Sequence, residues 1–205
     1  MPTLPKKLLI ATNNKGKFSE ISSLLKQLNI ESVPTFQFNI SEPEETGKTF
    51  AENSLLKAKY YASKTGLIAL ADDSGLCVDA MNNSPGIYSA RFAKNSEGKD
   101  DFNSAFEKIF SEINKTSPEN RRAFFICNLS LFNPETNFAI SFEGRVDGNL
   151  TLEPRGNLGF GYDPIFVKNG MEKTFGEISA EEKDKISHRA NAFEKLTNWL
   201  KSNNL

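Results

Sequence analysis

Cysteine, histidine and tryptophan are scarce in this sequence, which has two, one and one of them among 205 residues. Both cysteines, Cys77 and Cys127, lie in apolar runs typical of strands, so we expect buried free thiols rather than a disulfide or a metal–thiolate site. Free thiols are typical of a reducing compartment, and we expect a cytoplasmic protein. No apolar run approaches the roughly 20 residues that span a bilayer. The first ten residues hold too short an apolar segment for a signal peptide.

A surplus of either charge is also absent. Lysine and arginine total 25 against 26 aspartate and glutamate residues, which gives a formal net charge of −1. A general nucleic-acid or membrane-surface binder normally needs a basic face, so this balance argues against both classes. A hydrophobic fraction of 38% with 25% charged residues is typical of globular proteins. The length suits one domain with a substantial core, or two small lobes.

The sequence does contain an alternation of helix and strand patterns. Apolar spacing and turn residues predict these elements: a strand at Lys7–Ala11, a helix to about Gln27, a strand at Ser32–Phe38 interrupted by Pro34, a helix from Thr49 to Gly66, a helix at Phe102–Ile113, strands at Arg122–Phe132 and Phe138–Val146, and two last helices starting near Ser179 and Ser187. Early alternation followed by a hairpin predicts an α/β fold with a mixed sheet.

Two adjacent acids, Asp72 and Asp73, follow a short apolar run and precede Ser74 and Gly75. We expect the strand to end here and the chain to turn. Paired carboxylates at the end of a buried strand lose hydration and repel each other, so they need a compensating cation. Mg²⁺ is suited to this place because it takes carboxylate oxygens and shares its shell with phosphates. The alternative is an ordinary turn, since Asp, Ser and Gly are common turn formers.

The segment Thr12–Lys17 lies between the first strand and the first helix. A helix N-terminus presents free N–H groups and a positive dipole end, which suit phosphate, and Lys15 and Lys17 add cationic donors. The spacing of a Walker A loop is absent. The alternative is an ordinary polar turn with solvated lysines.

An acidic loop with Glu44 and Glu45 precedes the helix that carries Asn53 and Lys57. Asn53 and Lys57 are four residues apart and share one helix face. There Lys57 could meet phosphate, while the two glutamates could join the aspartates around a metal ion. The alternative is a solvated loop and a surface lysine.

Two segments in the second half of the chain suit a purine base. Gly159–Pro164 offers Phe160 as a stacking face and Asp163 as an acceptor for ring N–H groups, although a plain turn explains the same residues. His188 is the only histidine, and with Arg189 it can donate hydrogen bonds to purine keto oxygens. The alternative for His188 is a structural or capping role.

Taken together, the order and spacing of these motifs resemble the noncanonical purine nucleoside triphosphate pyrophosphatases. These are the inosine triphosphatase-like enzymes, and the resemblance is to their bacterial branch, the dITP/XTP pyrophosphatases. The matching segments extend from residue 12 to residue 189: Thr12–Glu20, Glu44–Gly47, Thr49–Phe50, Glu52–Asn53, Lys57–Ala58, Ala71–Leu76, Pro85–Arg91, Gly159–Phe166 and Ser187–Arg189.

The resemblance implies Mg²⁺-dependent hydrolysis of dITP, ITP or XTP between the α and β phosphates, which gives the monophosphate and pyrophosphate. Such an enzyme removes these nucleotides from the pool before they enter DNA or RNA. The resemblance also implies a single domain over residues 1–205 with a mixed sheet and flanking helices. This domain would have two lobes, an active-site cleft between them, and usually a homodimeric assembly.

Residue roles carried over by motif fall into three groups. The catalytic residues would be Asp73, which activates water, and Lys57, which supports the phosphates. The metal ligands would come from Glu44, Glu45, Asp72 and Asp73, with the direct glutamate ligand left open. Substrate contacts would come from Thr12, Asn13, Asn14, Lys15, Gly16, Lys17, Asn53, Ser74, Phe160, Gly161, Tyr162, Asp163, Lys183, Ser187, His188 and Arg189.

Two other functions compete with this one. A related pyrophosphatase for other modified nucleotides would need a different base pocket, and His188 with Arg189 favours a purine 6-keto group instead. A non-catalytic nucleotide-binding module would not need a water-activating carboxylate, so Asp72, Asp73 and the two glutamates argue against it.

Overall fold

The computed structural model describes residues 5–202, so the two ends of the predicted domain 1–205 lie outside the described part. The strands are β1 (Lys7–Ala11), β2 (Glu31–Pro34), β3 (Ala69–Val78), β4 (Ser84–Pro85), β5 (Arg122–Asn133), β6 (Phe138–Leu150) and β7 (Phe166–Lys168). The helices are α1 (Lys15–Lys26), α2 (Phe50–Thr65), α3 (Ser89–Phe92), α4 (Phe102–Thr116), α5 (Ala180–Ile186) and α6 (His188–Ser202). Within residues 5–202, no helix combines the length and apolar character needed to cross a bilayer.

The strands form one sheet in the order β2-β1-β3-β5-β6-β7, and β4 pairs with β3. β1 runs parallel to both β2 and β3, whereas β3 and β4 are antiparallel, as are β6 and β7. The predicted α/β fold with a mixed sheet is therefore confirmed.

The chain divides into two compact units. The first unit contains the residues as far as Asp73, then Cys127–Gly144, and the residues from Ser187 onward. The second unit contains Ser74–Ile126 and Arg145–Ile186. Strands β3, β5 and β6 each begin in one unit and end in the other.

The core of the first unit lies on both faces of β1, because successive side chains of a strand point to opposite faces. Leu8 and Ile10 pack with apolar residues of α1 and α6. Leu9 and Ala11 pack with apolar residues of α2. The second unit has its own core, built from α4 and the adjoining halves of the long strands.

The predicted boundaries of α2 are confirmed. The hydroxyl of Thr49 accepts a hydrogen bond from the Glu52 amide at 3.1 Å, which caps the first turn. Gly66 follows the last turn with φ = 70°, a left-handed conformation that glycine adopts without steric cost. The predicted second strand is shorter than expected, because β2 ends at Pro34 and a 3₁₀ turn over Thr35–Gln37 follows.

The turn predicted at Asp72–Gly75 is wrong, because β3 continues through these residues to Val78. The buried acids remain in the strand because each has a cationic partner, as described below. Gly75 is needed for a different reason: a Cβ there would lie 2.3 Å from the carbonyl oxygen of Gly86. The glycine therefore permits a close backbone approach beside the strand rather than a turn within it.

Candidate active site

Asp72 and Asp73 point to opposite faces of β3, since they are neighbours in a strand. The Asp72 carboxylate lies 2.5 Å from Nζ of Lys17, which is on α1. The Asp73 carboxylate lies 3.0 Å from Nζ of Lys57, which is on α2. The two adjacent acids therefore belong to two different ion-pair clusters.

The Asp73 cluster contains two carboxylates and one ammonium. Nζ of Lys57 donates to Oε1 of Glu45 at 2.6 Å and to Oδ1 of Asp73 at 3.0 Å. Asp73 is only 5% exposed, and its other oxygen, Oδ2, has no hydrogen-bond partner within residues 5–202. A buried oxygen of this kind is costly unless a water molecule, a metal ion or a substrate group meets it.

Burial and neighbouring charges act in opposite directions on the pKa values of Asp73 and Lys57. Burial raises the pKa of Asp73 above its ordinary value, although Lys57 and Lys17 act to lower it. Burial alone would lower the pKa of Lys57, but Asp73 and Glu45 outweigh burial and the pKa is raised. Lys57 is thus a fixed cation at neutral pH beside a carboxylate of increased basicity.

The Asp72 cluster lies on the other face of the sheet. Oδ2 of Asp72 accepts hydrogen bonds from Nε of Arg189 at 3.2 Å and from the Cys127 thiol at 2.9 Å. Arg189 also pairs with Glu20 of α1. Despite complete burial, Arg189 and Lys17 hold the pKa of Asp72 far below its usual range. Burial and the Asp72 charge raise the pKa of the Cys127 thiol, so it stays protonated as a donor. Both cysteines are buried and free, as predicted.

The segment Thr12–Lys17 forms the predicted turn into α1. Oδ1 of Asn14 accepts from the Lys17 amide at 3.0 Å and so caps the helix. The hydroxyl of Thr35 lies 2.9 Å from the Thr12 carbonyl and 2.7 Å from Oδ1 of Asn13. No local sequence pattern indicates this role of Thr35, because the pairing of β2 beside β1 brings it to this turn.

The acidic loop that carries Glu44 and Glu45 is attached to the start of α2. The Gly47 amide donates to Oδ1 of Asn53 at 2.8 Å, and the Lys48 amide donates to Oε2 of Glu52 at 2.6 Å. Glu45 is half-buried against Lys57, whereas Glu44 is exposed.

The second unit contains the glycine-rich segment and Lys183. Nζ of Lys183 lies 2.5 Å from Oδ2 of Asp163 and 4.6 Å from the centre of the Phe160 ring. Oδ2 of Asp163 also accepts from the Phe160 amide at 2.8 Å. Gly159 has φ = 70°, and a Cβ there would lie 2.2 Å from that same oxygen. Gly161 also has a positive φ, and the Tyr162 hydroxyl donates to the Ser89 carbonyl. Ser74, a predicted substrate contact, belongs to this unit too.

Ser187, His188 and Arg189 lie at the start of α6 and are all buried. The Ser187 hydroxyl accepts from the Ala190 amide at 3.1 Å, which makes it a helix cap. Gly144 of β6 lets the helix approach closely, since a Cβ there would lie 2.1 Å from the His188 carbonyl oxygen.

Within residues 5–202, no group of three or more His, Cys, Asp or Glu residues has the arrangement of a metal site. The donor atoms that fit a hard cation are the carboxylate oxygens of Glu45 and Asp73, including Oδ2 of Asp73, which has no hydrogen-bond partner in the described part of the chain. Asp72 has both oxygens engaged by cationic side chains. Its role as a metal ligand, like that of Glu44, stays a prediction.

The chain is similar to known proteins over nearly its whole length. The family model described as "Ham1 family" matches residues 8–199. A dITP/XTP pyrophosphatase of Zymomonas mobilis is 47% identical and covers 94% of this chain and 90% of its own length. One of Caulobacter vibrioides is 48% identical and covers 93% of this chain and 95% of its own length.

Solved structures match as well. A HAM1 protein from Coxiella burnetii superposes with a TM-score of 0.85 at 36% identity, over 96% of this chain and 98% of that one. A Staphylococcus aureus Ham1 protein gives a TM-score of 0.81 at 35% identity, over 96% and 99%. The resemblance proposed from the motifs is confirmed, and the chain belongs to the Ham1 family.

Proposed function

We propose that this chain hydrolyses noncanonical purine nucleoside triphosphates, namely dITP, ITP and XTP, to the monophosphate and pyrophosphate with Mg²⁺. The observation that carries this proposal is the buried Oδ2 atom of Asp73 beside the Lys57 cation, which accepts no hydrogen bond from any residue of the described range 5–202. The similar proteins of Zymomonas mobilis and Caulobacter vibrioides are dITP/XTP pyrophosphatases, which supports this activity.

Asp73 acts as the general base in this proposal. A general base needs affinity for the proton that it takes, and burial raises the pKa of Asp73 above its ordinary value. Its Oδ2 atom is available to accept a hydrogen bond from the attacking water, while Oδ1 is held by Lys57. General-base catalysis of this kind is typically worth about 10²–10⁴-fold.

Glu45, rather than Glu44, would hold Mg²⁺ together with Asp73. Glu45 is the glutamate whose carboxylate reaches Lys57, and Glu44 is exposed to solvent. When bound, Mg²⁺ would neutralise charge that develops on the phosphates. Lys57 contributes a second positive charge at the same place and stays protonated because both carboxylates raise its pKa.

The triphosphate would meet Thr12–Lys17 at the N-terminus of α1, where Lys15 is exposed and Lys17 is partly exposed. Lys183, Phe160 and Asp163 would recognise the base, with help from Tyr162, Gly161, Ser187, His188 and Arg189. The buried Lys183–Asp163 pair beside an aromatic ring supplies a stacking face and fixed donors and acceptors. An amino group in place of the 6-keto oxygen would leave such donors unpaired, which disfavours ATP; GTP keeps that oxygen, so its rejection would depend on its 2-amino group.

The proposal extends to the setting of the enzyme. We place it in the cytoplasm as a house-cleaning enzyme, active as a homodimer of single two-lobed domains. Its partner is the nucleotide substrate, with no nucleic acid or membrane involved.

The test is a substrate panel with product identification. Purified protein with Mg²⁺ should release pyrophosphate from dITP or XTP at least about 100-fold faster than from dATP or dGTP. Anion-exchange chromatography identifies the monophosphate and pyrophosphate, and omission of Mg²⁺ provides the control. Equal rates on all four nucleotides would refute the proposed specificity, and orthophosphate as the only product would refute the cleavage position.

A further inference from the structure

The acidic loop is held to α2 by a buried amide side chain. Asn53 is 1% exposed, and its Oδ1 accepts the hydrogen bond from the Gly47 backbone amide at 2.8 Å. Because Asn53 follows the capping residue Thr49 by four positions, its side chain lies over the first turn of the helix, where the loop arrives. This buried side chain therefore holds the loop backbone against the helix.

Gly47 has no room for a side chain at the same contact. A Cβ at this position would lie 2.5 Å from Oδ1 of Asn53 and 2.7 Å from Cβ of Glu52. The loop backbone therefore packs directly against the helix. This close packing, like the hydrogen bond to Asn53, fixes the position of the loop at Gly47.

Glu45 precedes Gly47 by two residues and places its carboxylate 2.6 Å from Nζ of Lys57. Lys57 in turn is one helical turn beyond Asn53 on the same face of α2. The helix thus fixes both ends of this arrangement: Asn53 holds the loop backbone, and Lys57 receives the loop carboxylate.

We propose that Asn53 is a positioning residue, which holds the acidic loop so that Glu45 reaches Lys57 and Asp73. This role replaces direct contact with the substrate. The inference rests on the proposed function insofar as Glu45 serves the metal. Its structural part is independent of the activity.

The experiment compares Asn53→Ala with Asn53→Asp, which keeps an oxygen acceptor at the same position. Hydrogen exchange of the Gly47 amide, followed by NMR without metal or nucleotide, reads the contact directly. Loss of one buried hydrogen bond should speed this exchange about fivefold in Asn53→Ala, and Asn53→Asp should restore protection. The Mg²⁺ concentration for half-maximal rate should rise by a similar factor in Asn53→Ala, with little change in kcat at saturating Mg²⁺.

Ser54→Ala is the matched control. Ser54 is the next residue of α2 and equally buried, but its hydroxyl contacts Asn128 and Ser130 of β5 instead of the loop. This variant should leave both the Gly47 exchange and the Mg²⁺ dependence at wild-type values. If Asn53→Ala does not fold, Gly47→Ala perturbs the same contact from the loop side and should raise the half-saturating Mg²⁺ concentration.

Three results have separate meanings. Unchanged Gly47 exchange in Asn53→Ala with a raised KM for nucleotide would overturn the inference in favour of a direct substrate contact. Faster Gly47 exchange with unchanged Mg²⁺ dependence would overturn the link from loop to metal. A wild-type protein without Mg²⁺-dependent pyrophosphate release would refute the proposed function, while the Gly47 exchange would still decide whether Asn53 holds the loop.

Discussion

Replacement of Asp72 by asparagine keeps the shape of the side chain but removes the charge that binds Lys17 and Arg189. The Arg189 side chain is 1% exposed, so its guanidinium cannot be rehydrated without local unfolding. Loss of one partner of a buried ion pair costs about 3–5 kcal/mol. Because Glu20 remains beside Arg189, we expect the low end of this range, about 3 kcal/mol. With a urea slope of about 2 kcal/mol/M, the midpoint should fall by about 1.5 M.

The pH dependence gives this prediction a second, independent test. The pKa of Asp72 is lower in the folded protein than in the unfolded chain. Asp72 therefore stabilises the folded state fully at a pH above its unfolded-state pKa, and this stabilisation is lost as the pH falls toward its folded-state pKa. At pH 3 the Asp72 carboxylate of the unfolded chain is largely protonated. The difference in the free energy of unfolding between wild type and Asp72→Asn should therefore be about 1 kcal/mol smaller than at pH 7.

The assay is equilibrium urea unfolding of both proteins at pH 7 and at the lowest pH where wild type stays folded. Asp79→Asn is the control, because it removes a similar contact to Arg122 at the exposed surface and should scarcely move the midpoint. Asp72 would not be a stabilising partner of the buried cations if Asp72→Asn lowered the free energy of unfolding by less than about 1 kcal/mol at pH 7. The same conclusion would follow if the difference between the two proteins did not change with pH.

Two further predictions address the base and the packing. Asp73→Asn should lower kcat about 10²–10⁴-fold, with nucleotide binding retained by calorimetry. Near-normal turnover in that variant would exclude Asp73 as the base. Gly144→Ala should cost about 1–3 kcal/mol in urea unfolding, because its Cβ would lie 2.1 Å from the His188 carbonyl oxygen and 2.3 Å from the Ala192 nitrogen. Unchanged stability would show that α6 can move away from β6 without loss.

Local signals in the sequence predicted the helix ends, because caps act within a few residues. Thr49 and Gly66 bound α2 as expected, and Ser187 caps α6. The same local reasoning failed at β3. Asp, Ser and Gly favour a turn in isolation, but Lys17 and Arg189 approach Asp72 from positions 55 and 117 residues away and keep it in the strand. Local propensity could not reveal ion pairs formed over such separations.

The candidate site, like the fold, could be predicted only in part from local sequence patterns. Residue types and spacing predicted that both glutamates join Asp72 and Asp73 around a metal ion, with Lys57 beside phosphate. The structure brings Glu45 and Asp73 to Lys57 but pairs Asp72 with Lys17 and Arg189. The pattern alone did not separate Glu44 from Glu45, because the difference depends on how the loop lies against α2. It also did not reveal Thr35, whose contact with Asn13 depends on strand pairing.

The placement of Asp72 and Asp73 on opposite faces of β3 also favours the native register of β3 against β1. If β3 were to pair with β1 one residue out of register, each carboxylate would exchange faces and lose the cation that it meets in the native pairing. Two uncompensated acids would then be buried, so misaligned pairing carries a large desolvation cost. Two adjacent buried charges with partners on opposite faces therefore also select the native strand pairing.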